Sequence, residues 1–309
     1  MTSSDTRPTP TEAGSARAFA RRRRLAALSD FWRKFRASRA GMFGLGFLVV
    51  VVVIAVLAPL IAPSDLLVAT NTIDQPKLAP PSAQHLLGTD HLGRELWARM
   101  VWGARISLVV GFAASAMSMF LGTFIGIAAG HFRGLAGGAL MRLVDFFLVL
   151  PSLILAIVLS SVLSRGVFTI VIAIGLTSWA GTARVVRAQT LSVEANSYVE
   201  RSRALGGGHL HIIVKHLLPG VMPLVLANTT LTVGSAIISE STLSFLGLGD
   251  TTQQSWGGIL KNAMDISAAT SGVWWYVLVP GVAIAAVVLA FTLVGRALEA
   301  ILNPLLEES

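Results

Sequence analysis

The 309-residue chain has no cysteine and little charge, since only 13% of its residues are Asp, Glu, Lys or Arg. The missing cysteine excludes disulfides, thiolate nucleophiles and cysteine metal sites. The chain also has no G-x-x-x-x-G-K-[ST] sequence, which excludes the phosphate-binding loop typical of ATPases. A hydrophobic content of 54% beside so little charge excludes an ordinary soluble domain and indicates a polytopic membrane protein.

The net charge of +8 is concentrated near the N-terminus, where ten of the 24 lysines and arginines precede residue 41. Residues 1–20, rich in Ser, Thr, Pro and Ala, predict a disordered tail. The arginines at 21–24 and the segment FWRKFRASR, residues 31–39, then precede the first apolar run. Basic and aromatic residues in this place favour contact with anionic membrane lipid, and we expect no nucleic acid partner.

Six apolar runs predict six transmembrane helices and an all-α fold, because a bilayer core requires about 20 helical residues. The predicted spans are 41–62, 106–130, 146–164, 166–183, 217–239 and 274–295. The first run is longer than a signal-peptide core and more spans follow it, so it predicts a retained anchor. In the second span, Gly122, Gly126 and Gly130 form overlapping G-x-x-x-G steps, which favour close helix packing within the chain.

The charge on the connecting segments predicts that both termini are cytoplasmic. In that orientation the cytoplasmic pieces hold eighteen lysines and arginines and the external pieces hold six, in accord with the positive-inside rule. The expected parts are a cytoplasmic basic tail and interfacial segment at 1–40, an anchor helix at 41–62, an external segment at 63–105, a five-helix core at 106–300 with a cytoplasmic loop at 188–218, and a cytoplasmic tail at 301–309.

A polar island, YVERSRALGGGHLHIIVKHLLP at residues 198–219, separates the fourth and fifth predicted spans. Residues 198–205 are tolerable helix formers, and the glycines at 206–208 supply the left-handed conformations that end a helix. An apolar helical pattern then resumes, and Pro219 suits the start of the next helix. We call residues 198–219 the knuckle and expect an ordered helix, glycine break and helix, although a plain solvated loop has the same composition.

The knuckle resembles the signature of bacterial ABC importer permeases, in which E-A-A, three residues, G and nine residues precede I-x-L-P. The matching anchor positions are Glu200, Gly206, Leu218 and Pro219. Arg201 and Ser202 replace the two alanines, and His216 stands where isoleucine is usual. In that family the loop docks on a cytoplasmic ATPase subunit, so the resemblance implies positions in this chain that couple transport to ATP hydrolysis. They are Glu200, Arg201, Ser202, Arg203, Gly206, Gly207, His209 and Pro219.

Further stretches resemble the dipeptide, oligopeptide and nickel importer permeases of this family. They are HLLGTDHLGRELWARMVWGARISL at 85–108, MRLVDFFLVLPSLILAI at 141–157 and ESTLSFLGLG at 240–249. Glu95 replaces the usual final aspartate of the first motif, and the C-terminal end departs from the family pattern. The resemblance implies the type I importer permease fold in a bacterial inner membrane. It favours peptide substrates, with nickel chelates and glutathione as alternatives.

The resemblance also implies the partners of the chain. These are a second, similar permease, two cytoplasmic ATP-binding subunits or domains, and an extracytoplasmic substrate-binding protein. ATP and magnesium would bind to the ATPase partners, so no cofactor, metal or catalytic residue is expected in this chain.

Polar residues within the spans are further candidates. The candidates for lining a wet pathway, or alternatively for hydrogen bonds between helices, are Asn228, Thr229, Thr232 and Ser235. Arg142, Asp145 and Glu240 lie near span ends and are candidate structural or gating charges. An Arg142–Asp145 pair one turn apart, or snorkelling of these side chains to the interface, is the simpler explanation.

Other classes of function fit the sequence less well. A secondary transporter working without an ATPase usually shows internal repeats and ionisable groups at midplane, and neither is evident here. A membrane enzyme needs a nucleophile–base pair or metal cluster within the spans, and none is visible. The external residues that resemble a metal cluster are His85, Asp90, His91 and Glu95. They lack tight ligand spacing, so we expect Asp90 to cap a helix and to pair with Arg94.

Overall fold

A computed structural model describes residues 26, 29–68, 72 and 75–302. Within these residues the regular structure is helical, apart from one isolated β-bridge between Thr89 and Glu95. The predicted all-α fold is confirmed. The predicted disordered tail, the arginines at 21–24 and most of the predicted C-terminal tail lie outside the described residues.

Residues 29–37 are helical, and ten further helices follow that we number in chain order. They are α1 (Arg39–Val56), α2 (Leu96–His131), α3 (Leu135–Val149), α4 (Ser152–Val162), α5 (Val167–Glu194), α6 (Ser197–Ala204), α7 (His209–Ile212), α8 (Leu218–Phe245), α9 (Trp256–Asp265) and α10 (Trp274–Leu302). A short helical turn, Ala58–Ile61, and a 3₁₀ turn, Ser64–Leu67, follow α1. A π-helical turn, Ile213–Leu217, makes α7 continuous with α8.

In the described part of the chain, five helical stretches are long and apolar enough to cross a membrane, namely α1, α2, α5, α7 with α8, and α10. A sixth crossing requires α3 and α4 together, and these two helices meet at an angle of 86°. The third span predicted at 146–164 therefore falls on a bent pair of helices rather than on one straight helix. The physical reason is Pro151, which lacks a backbone N–H and forces the preceding Leu150 into an extended conformation, with ψ at 128°.

The core of the bundle is the pair α2 and α5, which make the most extensive helix contact in the described residues. A Cβ atom on Gly122 would lie 2.6 Å from the Cβ of Thr182 and 2.8 Å from the carbonyl oxygen of Trp179. A Cβ atom on Gly126 would lie 2.7 Å from the carbonyl oxygen of Ala183. Only glycine permits this approach, so the predicted packing of the glycine stripe within the chain is confirmed.

Both helices are longer than the spans predicted for them. Helix α2 begins at Leu96 rather than at residue 106, and α5 continues to Glu194 rather than ending at residue 183. The 36 residues of α2 extend about 54 Å at 1.5 Å per residue, whereas the bilayer core is about 30 Å thick. The additional turns of α5 carry Glu194 to the base of the knuckle.

Asp90 organises the segment that precedes α2. Its Oδ1 accepts hydrogen bonds from the backbone N–H groups of Leu92 and Arg94 at 2.8 and 2.9 Å. Its Oδ2 accepts from Arg94 Nε at 2.7 Å and from Arg99 Nη1 at 2.8 Å. The predicted pair with Arg94 is confirmed. The predicted helix cap is wrong, because α2 begins only at Leu96 and Asp90 instead closes the turn that leads to it.

The other external candidates for a metal site make separate contacts. His85 Nδ1 lies 2.6 Å from Glu95 Oε1, while His91 Nδ1 lies 3.1 Å from the hydroxyl of Tyr276. No three metal-binding side chains converge anywhere in the described residues. These residues therefore brace the segment that precedes α2 against α2 and α10.

Candidate functional site

The first helix of the knuckle, α6, ends in a cap built from two glycines. Gly206 has φ at +86°, and its N–H donates to the carbonyl of Arg203 at 3.0 Å. The N–H of Gly207 donates to the carbonyl of Ser202 at 2.9 Å. This pair of bonds is a Schellman motif, which satisfies carbonyls that the helix end leaves unpaired.

The three glycines of the knuckle differ in what they require. Gly206 needs its left-handed backbone, and a Cβ atom on Gly207 would lie 2.7 Å from the carbonyl oxygen of Ser202. Gly208 has φ at −72°, and a Cβ atom there would meet nothing within 4 Å. Of the three consecutive glycines, Gly206 and Gly207 are therefore required by the structure, whereas position 208 can accept a side chain.

Helices α6 and α7 border an open groove of about 750 Å³. The groove is lined by Tyr198, Arg201, Ser202, Leu205, Gly206, Gly207, Gly208, His211, Lys215 and His216. Across it, Ser202 Oγ lies 3.1 Å from His216 Nε2, and the ring of Tyr198 lies 5.6 Å from the ring of His216. At the tip, Leu205 is 88% exposed. An exposed apolar tip beside basic side chains is suited to contact with another protein.

A chain of polar contacts joins the base of the knuckle to the ends of two long helices. Glu194, the last residue of α5, has a side chain that is 1% exposed. Its Oε1 accepts from Arg203 Nη2 at 2.8 Å and lies 2.8 Å from His131 Nδ1. His131, the last residue of α2, places Nε2 at 2.8 Å from His209 Nδ1. Neither Glu194 nor His131 was found from the sequence, because only tertiary packing brings these two helix ends together.

The eight predicted coupling residues divide into three groups and the separate Pro219. Glu200 and Arg201 are exposed on α6, and Arg201 also lines the groove. Arg203 and His209 reach inward to Glu194 and His131 instead. Ser202 and the first two glycines form the helix cap and groove, and Pro219 is the second residue of α8.

The predicted pathway residues on α8 also divide. Asn228 Nδ2 lies 3.4 Å from Thr182 Oγ1, and Thr232 Oγ1 lies 3.6 Å from Met119 Sδ. Asn228 therefore bonds between helices, the alternative that the sequence left open, whereas the Thr232 hydroxyl donates to the carbonyl of Asn228 in its own helix at 2.9 Å and only contacts Met119. The Thr229 hydroxyl donates to a carbonyl of its own helix. Ser235 is exposed.

Ser235 begins a polar stripe that was not noticed in the sequence. Ser239 and Thr242 follow it at helical spacing on the same face of α8, and both are half-buried. Each of the three hydroxyls donates to the carbonyl four residues earlier at 3.2 Å or less. Their other hydrogen-bonding capacity remains open to the surface of the helix.

Two of the span-end charges, Asp145 and Glu240, have partners other than those predicted. Asp145 accepts from Arg184 Nη2 at 2.6 Å, so the predicted Arg142–Asp145 pair is wrong. The physical reason is that α3 packs on α5, which brings Arg184 closer than the neighbour one turn away.

Glu240 is buried, being only 1% exposed, and the predicted snorkelling to the interface is wrong. Its carboxyl group accepts from Ser107 on α2 at 2.9 Å and from Ser244 at 2.8 Å, with Ser241 at 3.3 Å. Hydroxyl donors from two helices replace the water that snorkelling would have reached.

Residues 122–308 match the family described as binding-protein-dependent transport system inner membrane component. The chain belongs to this permease family. Residues 27–81 match the N-terminal transmembrane domain of oligopeptide transport permease C. The protein is thus a multi-pass inner-membrane permease subunit of an ABC importer of the peptide and glutathione type, and such a permease implies partner subunits.

Individual relatives agree with this assignment. The permease is 36% identical over 281 residues to the dipeptide transport system permease protein DppC of Bacillus subtilis, covering 91% of this chain and 86% of the relative. It is 35% identical over 302 residues to the oligopeptide transport system permease protein OppC of the same organism, covering 97% of each chain. It is 35% identical over 277 residues to the glutathione transport system permease protein GsiD of Escherichia coli, covering 89% of each chain.

Proposed function

We propose that the permease forms, with a second similar permease, the pathway for peptide uptake, driven by ATP hydrolysis in two partner subunits that dock on the knuckle. The observation that carries this proposal is the capped, ordered knuckle, whose groove and apolar tip are exposed while its base is tied to α2 and α5. An exposed loop with so firm a base is suited to transmit a movement.

The orientation follows from the charge distribution. The N-terminus, the knuckle and the C-terminus face the cytoplasm, and the segment braced by Asp90 faces outward. There it offers a surface to an extracytoplasmic substrate-binding protein. The basic segment at 31–39 lies along the anionic lipid surface before α1.

The pathway face of α8 is the stripe Ser235, Ser239 and Thr242. Each hydroxyl donates to a carbonyl of its own helix. The stripe is therefore a polar surface that does not select strongly for the shape of the transported molecule. A surface of this kind suits peptides with varied side chains. Two of the relatives carry dipeptides and oligopeptides by name, which supports a peptide substrate, and the glutathione permease among the relatives keeps glutathione as the alternative.

Reconstitution tests the proposed function directly. The permease is purified with its co-purifying subunits, placed in proteoliposomes with the binding protein, and supplied with labelled dipeptide, oligopeptide or glutathione. We expect ATP-dependent accumulation of a peptide that unlabelled peptides compete away. Accumulation of glutathione alone would overturn the peptide assignment, and accumulation driven by an ion gradient without ATP would overturn the coupling.

A further inference from the structure

The contacts of Glu194 make it the most constrained carboxylate at the base of the knuckle. Its side chain is buried, and in the described residues its Oε2 has no hydrogen-bond partner. The carboxylate therefore makes its contacts with Arg203 and His131 through Oε1 alone. A buried carboxylate that loses its partners is strongly destabilised. Any movement of the knuckle that separated Arg203 or His131 from Glu194 would therefore be opposed.

The polar contacts of Glu194 and His131 hold the knuckle on both sides of its glycine break. Arg203 belongs to α6 and His209 to α7, while Glu194 and His131 are the last residues of α5 and α2. One arrangement satisfies each contact: His131 donates from Nδ1 to the carboxylate and accepts at Nε2 from the Nδ1–H of His209. These contacts thus form a continuous polar link between α2, α5, α6 and α7.

An apolar cluster beneath the knuckle stabilises its contact with the bundle but does not fix its orientation. Val186, Val193, Val199, Ile212 and Leu217 are buried together there. Apolar burial is non-directional and tolerates sliding, whereas hydrogen bonds at 2.8 Å fix a single register. The polar link, rather than the apolar cluster, therefore determines the orientation of the knuckle.

We propose that Glu194 and His131 are positioning residues that latch the knuckle to α2 and α5, so that a push on the knuckle moves these helices as one body. The two helices also pack closely along their length, where Gly122 and Gly126 of α2 lie directly against α5, so a movement of one is passed to the other. The inference rests on the proposed function, in which partner ATPases deliver the push. Without the latch, the knuckle still docks but moves independently of the helices that it should drive.

Distances between spin labels test the latch without any substrate. The chain has no native cysteine, so the cysteine pair Leu205→Cys on the knuckle and Val185→Cys on α5 labels cleanly, and these positions are 88% and 44% exposed. In the purified complex we expect one narrow distance distribution, broadened by Glu194→Gln and by His131→Phe. The control Glu299→Gln makes the same change at an exposed carboxylate of α10, outside the knuckle, and leaves the distribution narrow. A distribution that stays narrow in Glu194→Gln and His131→Phe overturns the latch.

Uptake per ATP hydrolysed is the second readout, and it separates positioning from stability. A merely stabilising residue changes the amount of intact complex but not this ratio. We expect the ratio to fall about tenfold in Glu194→Gln and in His131→Phe, because each variant removes a hydrogen bond involving a charged group. The double variant should be no worse than the poorer single variant, since the two residues act as a unit. A ratio within about twofold of wild type in the assembled variants contradicts the latch.

The two failures are distinguishable. If the wild-type complex shows no ATP-driven peptide uptake, the proposed function is wrong, and the label distances still decide whether Glu194 fixes the knuckle. If uptake proceeds normally in the latch variants, the proposed function stands and the latch is wrong.

Discussion

Gly207→Ala lowers ATP-driven uptake by about fivefold or more, while the permease still inserts and assembles. A methyl group at this position would lie 2.7 Å from the carbonyl oxygen of Ser202, so the cap of α6 has to open. Overpacking of this kind costs about 1–3 kcal/mol, and each 1.4 kcal/mol reduces the population of the correctly shaped knuckle about tenfold. The measurement is uptake in proteoliposomes, normalised to the amount of assembled complex.

The neighbouring glycine supplies the matched control. Gly208→Ala adds the same methyl group one residue later, where φ is −72° and nothing lies within 4 Å, so uptake should remain near wild type. Equal loss in the two variants would show that the glycine run acts through its flexibility. Normal uptake in Gly207→Ala would show that the capped shape of the knuckle is not needed for coupling.

Arg99→Met destabilises the fold by about 3 kcal/mol, because it leaves a buried carboxylate with one of its two cations. The Arg99 side chain is 2% exposed and Asp90 is fully buried, so water cannot replace the lost partner. Arg99 also donates to Gln254 and to Tyr276, which ties the segment after α8 to α10. We expect the apparent Tm of the detergent-purified permease to fall by roughly 5 °C.

The exposed Arg165 is the control, since Arg165→Met removes a cation without breaking an ion pair in the described residues. Burial alone would raise the pKa of Asp90, but Arg99 and Arg94 outweigh burial and hold this pKa below its ordinary value of 3.8. The carboxylate therefore stabilises the fold above about pH 4 and loses that contribution as the pH falls through the lowered pKa. A Tm unchanged in Arg99→Met would contradict the account of this network.

Local features of the fold were predictable from sequence. The break in the knuckle follows from Gly206, because a left-handed residue after a helix is usually glycine. The close packing of α2 within the chain follows from the glycine repeat at Gly122 and Gly126, although the repeat does not identify α5 as the partner. Each of these features depends on residues only a few positions apart, so the sequence pattern is sufficient to indicate it.

Features that depend on packing between distant helices were not predictable. The sequence offers Arg142 as the partner of Asp145, but the docking of α3 on α5 brings Arg184 instead. Glu194 and His131 lie 63 positions apart, and no short motif marks them. The candidate site was therefore found from its signature, while the contacts that hold it in place required the structure.

The central claim is that the knuckle faces the cytoplasm and is held by a separate ATPase. The direct measurement places a single cysteine at Leu205, 88% exposed at the tip, and couples it to a photo-activated cross-linker in membranes that contain the whole transport complex. The account predicts an adduct with the ATP-hydrolysing subunit, whose yield differs between ATP and ADP. Labelling of this cysteine by an impermeant reagent from outside intact cells, or no adduct in a complex that transports, would contradict it.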